Sequence, residues 1–382
     1  MQDIPFTSID TPAVLLDLDK LEANIREMSR WAAEAGLKLR PHTKVHECPE
    51  IAKMQIEAGA IGLSIATLPV AENMAEAGIG DIMVVHPFYG QHKLEQFKRL
   101  LNRPNLKLSV VVDMIEQAEA ISQVAQAVEK EVSVLLKIDT GGGRFGILPG
   151  EPAVNVAKRL RQVPANKLVG IYTHEAAMSK KTTAEVDRIA FETASVMTAT
   201  ARMLKSEGIP VQEIVIGASP TFRATCRYKK YFPEITEIHP GTMVIGDLSH
   251  MYSFSLSEDA VALTVLTTVL STPASDRAII DAGFKTLSRE TLLALRWKPD
   301  CFRNGMPRYG LVKGRPDLWL GRLSAEVGVI LLTDPKASVS IGDRLEIMPN
   351  NATVVISMHD EIYGVRKGAV ERVIRVGRGL GN

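Results

Sequence analysis

The chain reads as an α/β protein, a (β/α)8 barrel of the TIM type followed by a C-terminal antiparallel β domain. Three observations predict this. Between Leu37 and about Ile245, eight short β-branched runs alternate with longer segments of helical period. Several of those helical segments close on glycine, the usual C-terminal stop. After about Leu248 the texture changes to short β-rich runs separated by Pro, Gly, Asp and Asn. Eight regular repeats over roughly 210 residues suit a closed barrel better than an open doubly wound sheet.

The opening TPAVLLDLDKLEANIREMSRWAAEAG is a strand and then a helix, the strand suited to the second domain and the helix to the barrel wall. The barrel strands are LKLRPH, AIGLSI, DIMVVH, KLSVVVD, VSVLLKID, KLVGIYTH, EIVIGAS and the run around EIHPGTMVI. Between them stand CPEIAKMQIEAG, PVAENMAEAG, GQHKLEQFKRLL, MIEQAEAISQVAQAVEK, EPAVNVAKRLRQV and TAEVDRIAFETASVMTATARMLKSEG as helices. The runs AVALTVLTTVLST, RAIIDAG, AEVGVILLT, DRLEIMP, ATVVISM and AVERVIRV follow as strands of an antiparallel sheet or barrel. The predicted division is 16–247 for the barrel and 1–15 plus 248–382 for the β domain.

Composition narrows the function. A chain of 382 residues, 46% hydrophobic and 23% charged, is ordinary for a globular enzyme. Its net charge of +1 offers no basic footprint for nucleic acid, so a small-molecule partner is expected. The start MQDIPFTSIDTPAVLLDLDK lacks the features of a signal peptide, and no apolar run approaches a membrane span, which predicts a cytoplasmic protein without a membrane partner. Cys48, Cys226 and Cys301 lack C-x-x-C spacing and signal neither a disulfide framework nor structural zinc.

Active sites of such barrels lie at the C-terminal ends of the strands, so the polar residues there are read first. RPHTKVHECPEI places Lys44 just past the first strand, with His42 beside it. A lysine in a barrel mouth is costly unless used, because an unpaired buried ammonium must find a partner or lose its proton. Lys44 is therefore the candidate amine for carrying an aldehyde cofactor as a Schiff base. Asp139, Gly141, Gly142, Gly143 and Arg144 follow VSVLLKI, and Thr173, His174 and Glu175 end KLVGIY. Gly217, Ala218 and Ser219 end EIVI, and His239, Gly241 and Thr242 occupy the last turn. Glycines with small hydroxyl residues let backbone N–H groups approach phosphate oxygens. Each turn alone is also what any tight turn looks like. Their joint occurrence at successive strand ends, with an amine, an imidazole and a guanidinium, points to a phosphorylated cofactor.

The segments TPAVLLDLDKLEANI, RPHTKVHECPEIA, KIDTGGGRFGI, the IGAS turn, EIHPGTMVIGD, IIDAGFKT and PNNATVVISMHDEIYGV resemble the D-threonine aldolase and D-serine dehydratase family, from about Thr11 to Val376. That family uses pyridoxal phosphate on the alanine-racemase type of fold, so the resemblance implies this cofactor and this fold. It makes Lys44 the Schiff-base lysine and a base at the α-carbon. It places Arg144 near the pyridine nitrogen and His174 against the cofactor ring. Gly217, Ala218 and Ser219, with Gly241 and Thr242, would hold the phosphate. It also implies a homodimer.

The departures bear on mechanism. Family members bind a divalent metal between a His and a Cys or Asp two positions later in the Pro-Asn or Pro-Ser motif near the C-terminus. Here PNNATVVISMHD puts Asn351 and Thr353 at those positions, and neither is a good ligand for zinc or manganese. No metal site is therefore assigned. Tyrosines common in the family are replaced by Thr173 and Met243, and a histidine five residues after the ring histidine is Ser179.

Three reactions are weighed. The first is a lyase that opens the Cα–Cβ bond of a D-configured β-hydroxy-α-amino acid to glycine and an aldehyde, with His359, Asp360 or His174 taking the hydroxyl proton in place of the metal. Loss of water is disfavoured, since hydroxide leaves poorly without a Lewis acid. The second is a racemase or epimerase, with Tyr252, Tyr309, Tyr363 and Cys301 as candidates for the opposite face. The third is a non-catalytic pyridoxal phosphate carrier.

Overall fold

The computed structural model describes residues 4–5, 8–175, 182–253, 255–296 and 298–377. Ser179, where a family histidine is replaced, lies outside them. The chain divides into two compact units, Ile25–Gly241 with Gly377–Asn382, and Met1–Asn24 with Thr242–Val376.

In the first unit the eight anticipated runs form eight parallel strands: Lys38–Leu39, Leu63–Ile65, Asp81–Val84, Lys107–Val112, Val132–Lys137, Asn166–His174, Glu213–Gly217 and Glu237–Ile238. The last strand pairs with the first, Glu237 opposite Lys38. The first joins the second through Ile61 N to Leu39 O and Ser64 N to Pro41 O, both 2.9 Å, and the ring closes. Alternation along each strand sends one set of side chains inward. Met83, Val85, Val111, Leu135, Val169, Tyr172 and Val215 form the apolar filling. The interior also buries an ionic column. Arg40 donates to Glu237 Oε1 at 2.6 Å and to Asp81 Oδ1 at 2.5 Å.

The helices of the wall carry their own boundary signals. Thr182 and Glu185 form a reciprocal capping box at the start of Thr183–Ser206, each bond 3.2 Å. Pro152 stands in the first turn of Glu151–Leu160, where its missing N–H costs nothing. Gly208 ends the long helix at φ +71°, a conformation that suits glycine.

The second unit holds one ten-stranded sheet. Its order is Ile4–Pro5, Ala369–Arg375, Glu361–Arg366, Ala13–Asp17, Leu263–Ala274, Arg277–Ile280, Gly328–Leu332, Leu318–Leu323, Gly310–Val312 and Arg344–Pro349. Arg344–Pro349 returns to pair with Leu263–Ala274, so six of these strands close a small antiparallel barrel. The strand Ala13–Asp17 joins this sheet as its sequence suggested, antiparallel to Leu263–Ala274 and parallel to Glu361–Arg366. Leu248, Tyr252, Val261, Leu295, Cys301 and Met348 make one core cluster.

One expected strand is a helix. ATVVISM, read as β from its Val-Val-Ile run, forms the helix Ala352–Ser357. Two caps outweigh the β-branched composition. Asn351 Oδ1 accepts from Val354 N at 3.3 Å, and the buried Asp247 carboxylate accepts from Ala352 N at 2.9 Å.

Candidate functional site

The mouth of the eight-stranded barrel is built by the loops that follow its strands. After the first strand the chain makes a short 3-10 turn, Thr43–Val45, with His42 as its cap, whose Nδ1 accepts from Lys44 N at 3.2 Å. Lys44 is half-buried there. Around it stand three imidazoles, His42, His86 and His174. His42 and His86 approach edge to face with ring centroids 6.4 Å apart. Burial, then the Lys44 ammonium, pushes His42 well below the ordinary imidazole range. Burial, then Lys137 and Arg144, takes His86 down to about 4. Burial, then Lys44 and Arg144, takes His174 down to about 3. All three are neutral at pH 7 and can accept a hydrogen bond, though so low a range makes them weak bases.

Lys137, at the end of its strand, was not singled out from sequence. It is 3% exposed, donates to Val85 O at 2.9 Å, and lies 5.2 Å from the Tyr172 ring centroid and 5.0 Å from that of Phe145. Burial, then the Arg144 charge, lowers its ammonium to about 8. The signal was available: Lys137 shares the inward parity of Leu135 in a run that is apolar but for Ser133. Arg144 is exposed, with its guanidinium 5.7 Å from the Phe145 ring. The GGGR loop that carries it is shaped by Asp139, whose Oδ1 accepts from Gly141 N at 2.9 Å and Gly142 N at 2.7 Å.

The small-residue turns meet as expected. Gly241 N donates to Ser219 Oγ at 3.0 Å. A Cβ on Gly217 would come 2.9 Å from His239 Cβ, and one on Gly241 would come 3.0 Å from His42 O, so a side chain at either position would force its neighbours to shift. Ala218, Ser219 and Thr242 are buried. Beneath this floor His239 Nε2 is 2.6 Å from Glu237 Oε1, while its Nδ1 has no partner among the described residues. Burial pushes Glu237 up, but His239 and Arg40 outweigh it and bring the carboxyl down to about 2.

Thr173 is buried, donating to Ile138 O at 2.9 Å with its hydroxyl 2.9 Å from that of Thr140, and Met243 is buried. His359 and Asp360 belong to the second unit, where His359 Nδ1 donates to Val355 O at 2.8 Å. Of the racemase candidates, Cys301 is buried, and burial pushes its thiol up to about 11. The Tyr252 phenol is likewise raised by burial, and Tyr363 packs against the cluster of Ile9, Ala13, Leu15 and Leu266. Tyr309 is half-buried. Asn351 is the helix cap, and its Nδ2 donates to Glu290 Oε2 at 2.7 Å. Among the described residues no helix is long and apolar enough to cross a membrane.

Two family models match the chain: "Alanine racemase, N-terminal domain" over residues 16–249 and "Putative serine dehydratase domain" over 262–365. D-threonine aldolase of an Arthrobacter species is 29% identical, covering 97% of this chain and 92% of the relative. D-threo-3-hydroxyaspartate dehydratase of Delftia sp. strain HT23 is 31% identical, covering 92% of this chain and 93% of the relative. The crystal structure of D-threonine aldolase from Filomicrobium marinum superposes with a TM-score of 0.86 at 28% identity, covering 98% of this chain and 97% of that one.

Proposed function

Because the chain belongs to the family whose barrel is the alanine racemase N-terminal domain, joined here to a serine dehydratase domain, we propose that it is a pyridoxal-phosphate-dependent lyase cleaving a D-configured β-hydroxy-α-amino acid to glycine and an aldehyde. The observation that carries the reading is the half-buried Lys44 amine set among three neutral imidazoles, beside a floor where Gly217 and Gly241 leave little room for a side chain. The named relatives are an aldolase and a dehydratase of such amino acids, which supports the substrate class.

The residues fit the cofactor. Lys44 would hold its aldehyde, Gly217, Ala218, Ser219, Gly241 and Thr242 its phosphate, and His174 and Arg144 its ring. When bound, the cofactor supplies a carbonyl for the substrate amine and a sink for the electrons released at the α-carbon. The chain's own groups do the rest. Lys44 moves the proton at the α-carbon. Neutral His174 and His86 can accept a hydrogen bond from the β-hydroxyl and orient it. Arg144 adds positive charge that favours an incoming carboxylate.

The lyase works without the divalent metal of its relatives. Both ends of the Asn351 amide are engaged, Oδ1 in the helix cap and Nδ2 on Glu290, and Thr353 offers a hydroxyl alone. The three cysteines are free and buried, which suits a reducing cytoplasm, and a homodimer is carried over from the family resemblance alone. Incubation with D-threonine should yield glycine and acetaldehyde at a rate unchanged by exhaustive chelation. Loss of activity with chelator and its return with manganese or zinc would refute the metal-independent reading. Exchange of the α-proton with inversion, and no aldehyde, would refute the lyase.

A further inference from the structure

Glu175 is a carboxyl group that neither the barrel nor the reaction above uses. It follows His174 and is 3% exposed, and neither of its oxygens has a hydrogen-bond partner of good geometry among the described residues. Its backbone N–H donates to Gly217 O at 3.3 Å, and His174 is paired with Gly217 across the two strands. Among the described residues the groups facing the carboxyl are Tyr172 on the preceding strand, whose phenol it pushes up, and the Thr221 hydroxyl on the next turn, and no described cation acts on it. Thr221 Oγ1 donates in turn to Ala218 O at 3.4 Å. Burial pushes Glu175 up to about 7, and the Thr221 hydroxyl and its own amide only partly offset this. Glu175 therefore backs the Gly217–Thr221 turn as an acid poised between its neutral and ionised forms.

We propose that Glu175 is a positioning residue for the cofactor's phosphate, coupled to it through a proton: the neutral carboxyl permits the anion in the adjoining turn, and the ionised carboxylate repels it. The inference rests on the reading of Gly217–Ser219 as the phosphate seat. Two neighbouring anions shielded from water cannot both be ionised cheaply. Coupling is reciprocal, so an anion weakened by ionisation of Glu175 must itself hold the proton on Glu175. Binding then takes up a proton wherever the free protein has lost it.

The test is to titrate the full chain, stripped of cofactor, with pyridoxal 5′-phosphate and with unphosphorylated pyridoxal between pH 6.5 and 8.5. Affinity is read by absorbance, and proton uptake by calorimetry in two buffers of different protonation enthalpy. The wild-type protein is expected to lose about tenfold more affinity for the phosphorylated ligand across this range than E175Q does. It is also expected to take up a proton near pH 8 that E175Q does not, with no Glu175-dependent difference for pyridoxal. T221V, which removes the hydroxyl that favours the carboxylate, should move the break in affinity to higher pH.

Identical pH profiles and proton uptake in wild type and E175Q overturn the proposal and leave the phosphate seat standing. An equal effect on pyridoxal, or an unmoved break in T221V, overturns it as well, the latter even if E175Q misfolds. Failure of the phosphorylated ligand to bind better than pyridoxal at any pH overturns both the proposal and the phosphate seat.

Discussion

The ammonium of Lys137 sits 5.2 Å from the ring centroid of Tyr172 and donates to the carbonyl of Val85, with nearly no contact with solvent. A charge in that position opposes folding, and the fold carries it where the chemistry is expected. Its folded pKa of about 8 lies below the ordinary 10.5, so from pH 8 to 10.5 the unfolded chain binds more protons and stability rises with pH. Below pH 8 the cost is present in full. K137M should therefore stabilise the protein by about 1–2 kcal/mol at pH 7 in urea unfolding, after allowing for the lost bond to Val85. The advantage should shrink toward pH 10.5. Turnover in the same variant should fall tenfold or more.

Lys44 is expected to be the point of covalent attachment. Borohydride reduction of the cofactor-loaded protein should leave the pyridoxyl mass on the peptide containing Lys44. K44A should show no such adduct and lose about 10²–10⁴-fold in rate. An adduct mapped to Lys137 instead would reassign the site.

The imidazole cluster sets an acid limit. Burial places His86 at about 4 and His174 at about 3, each below the ordinary 6.5. Below pH 6.5 the unfolded chain binds the extra protons, so stability should fall from there down to about pH 3. H86N should flatten the upper part of that slope in thermal melts recorded from pH 7 to 4.5. An unchanged slope would remove His86 from the account.

Arg40 bridges Glu237 and Asp81 inside the barrel, where its side chain is 3% exposed. R40M should cost about 3–5 kcal/mol, because it leaves the Glu237 carboxylate buried with one partner fewer. R40M/E237Q should recover part of the loss, and denaturant unfolding of the three proteins would measure it.

Asn351 is expected to act as a cap. N351A should lower stability by about 1 kcal/mol and leave the response to chelator unchanged.

The barrel was legible in sequence because its strands are short apolar runs alternating with segments of helical period, several of them closed by glycine, and periodicity reports both. The small barrel of the second unit was legible only as a class, since its closure depends on Arg344–Pro349 finding Leu263–Ala274 across some seventy residues of chain. ATVVISM was misread because its caps lie outside the run, one of them Asp247, about a hundred residues earlier. Lys44 and the small-residue turns stood out by residue type and place. Lys137 and Glu175 did not, because their importance is burial, and a lone charged letter does not disclose how deep it lies.

The first and last strands of the ring have only two residues each, yet the loops beyond them are stitched by His42 N to Pro240 O at 2.8 Å, bringing Gly241 against the main chain two residues before Lys44. The lysine proposed to hook the vitamin and the Gly241 part of the proposed phosphate seat thus come from opposite extremes of a two-hundred-residue segment, and they meet only once the circle is complete. On that proposal, colour from bound vitamer would gauge assembly: an unfinished barrel would stay pale, and ligand capture would seal the final seam.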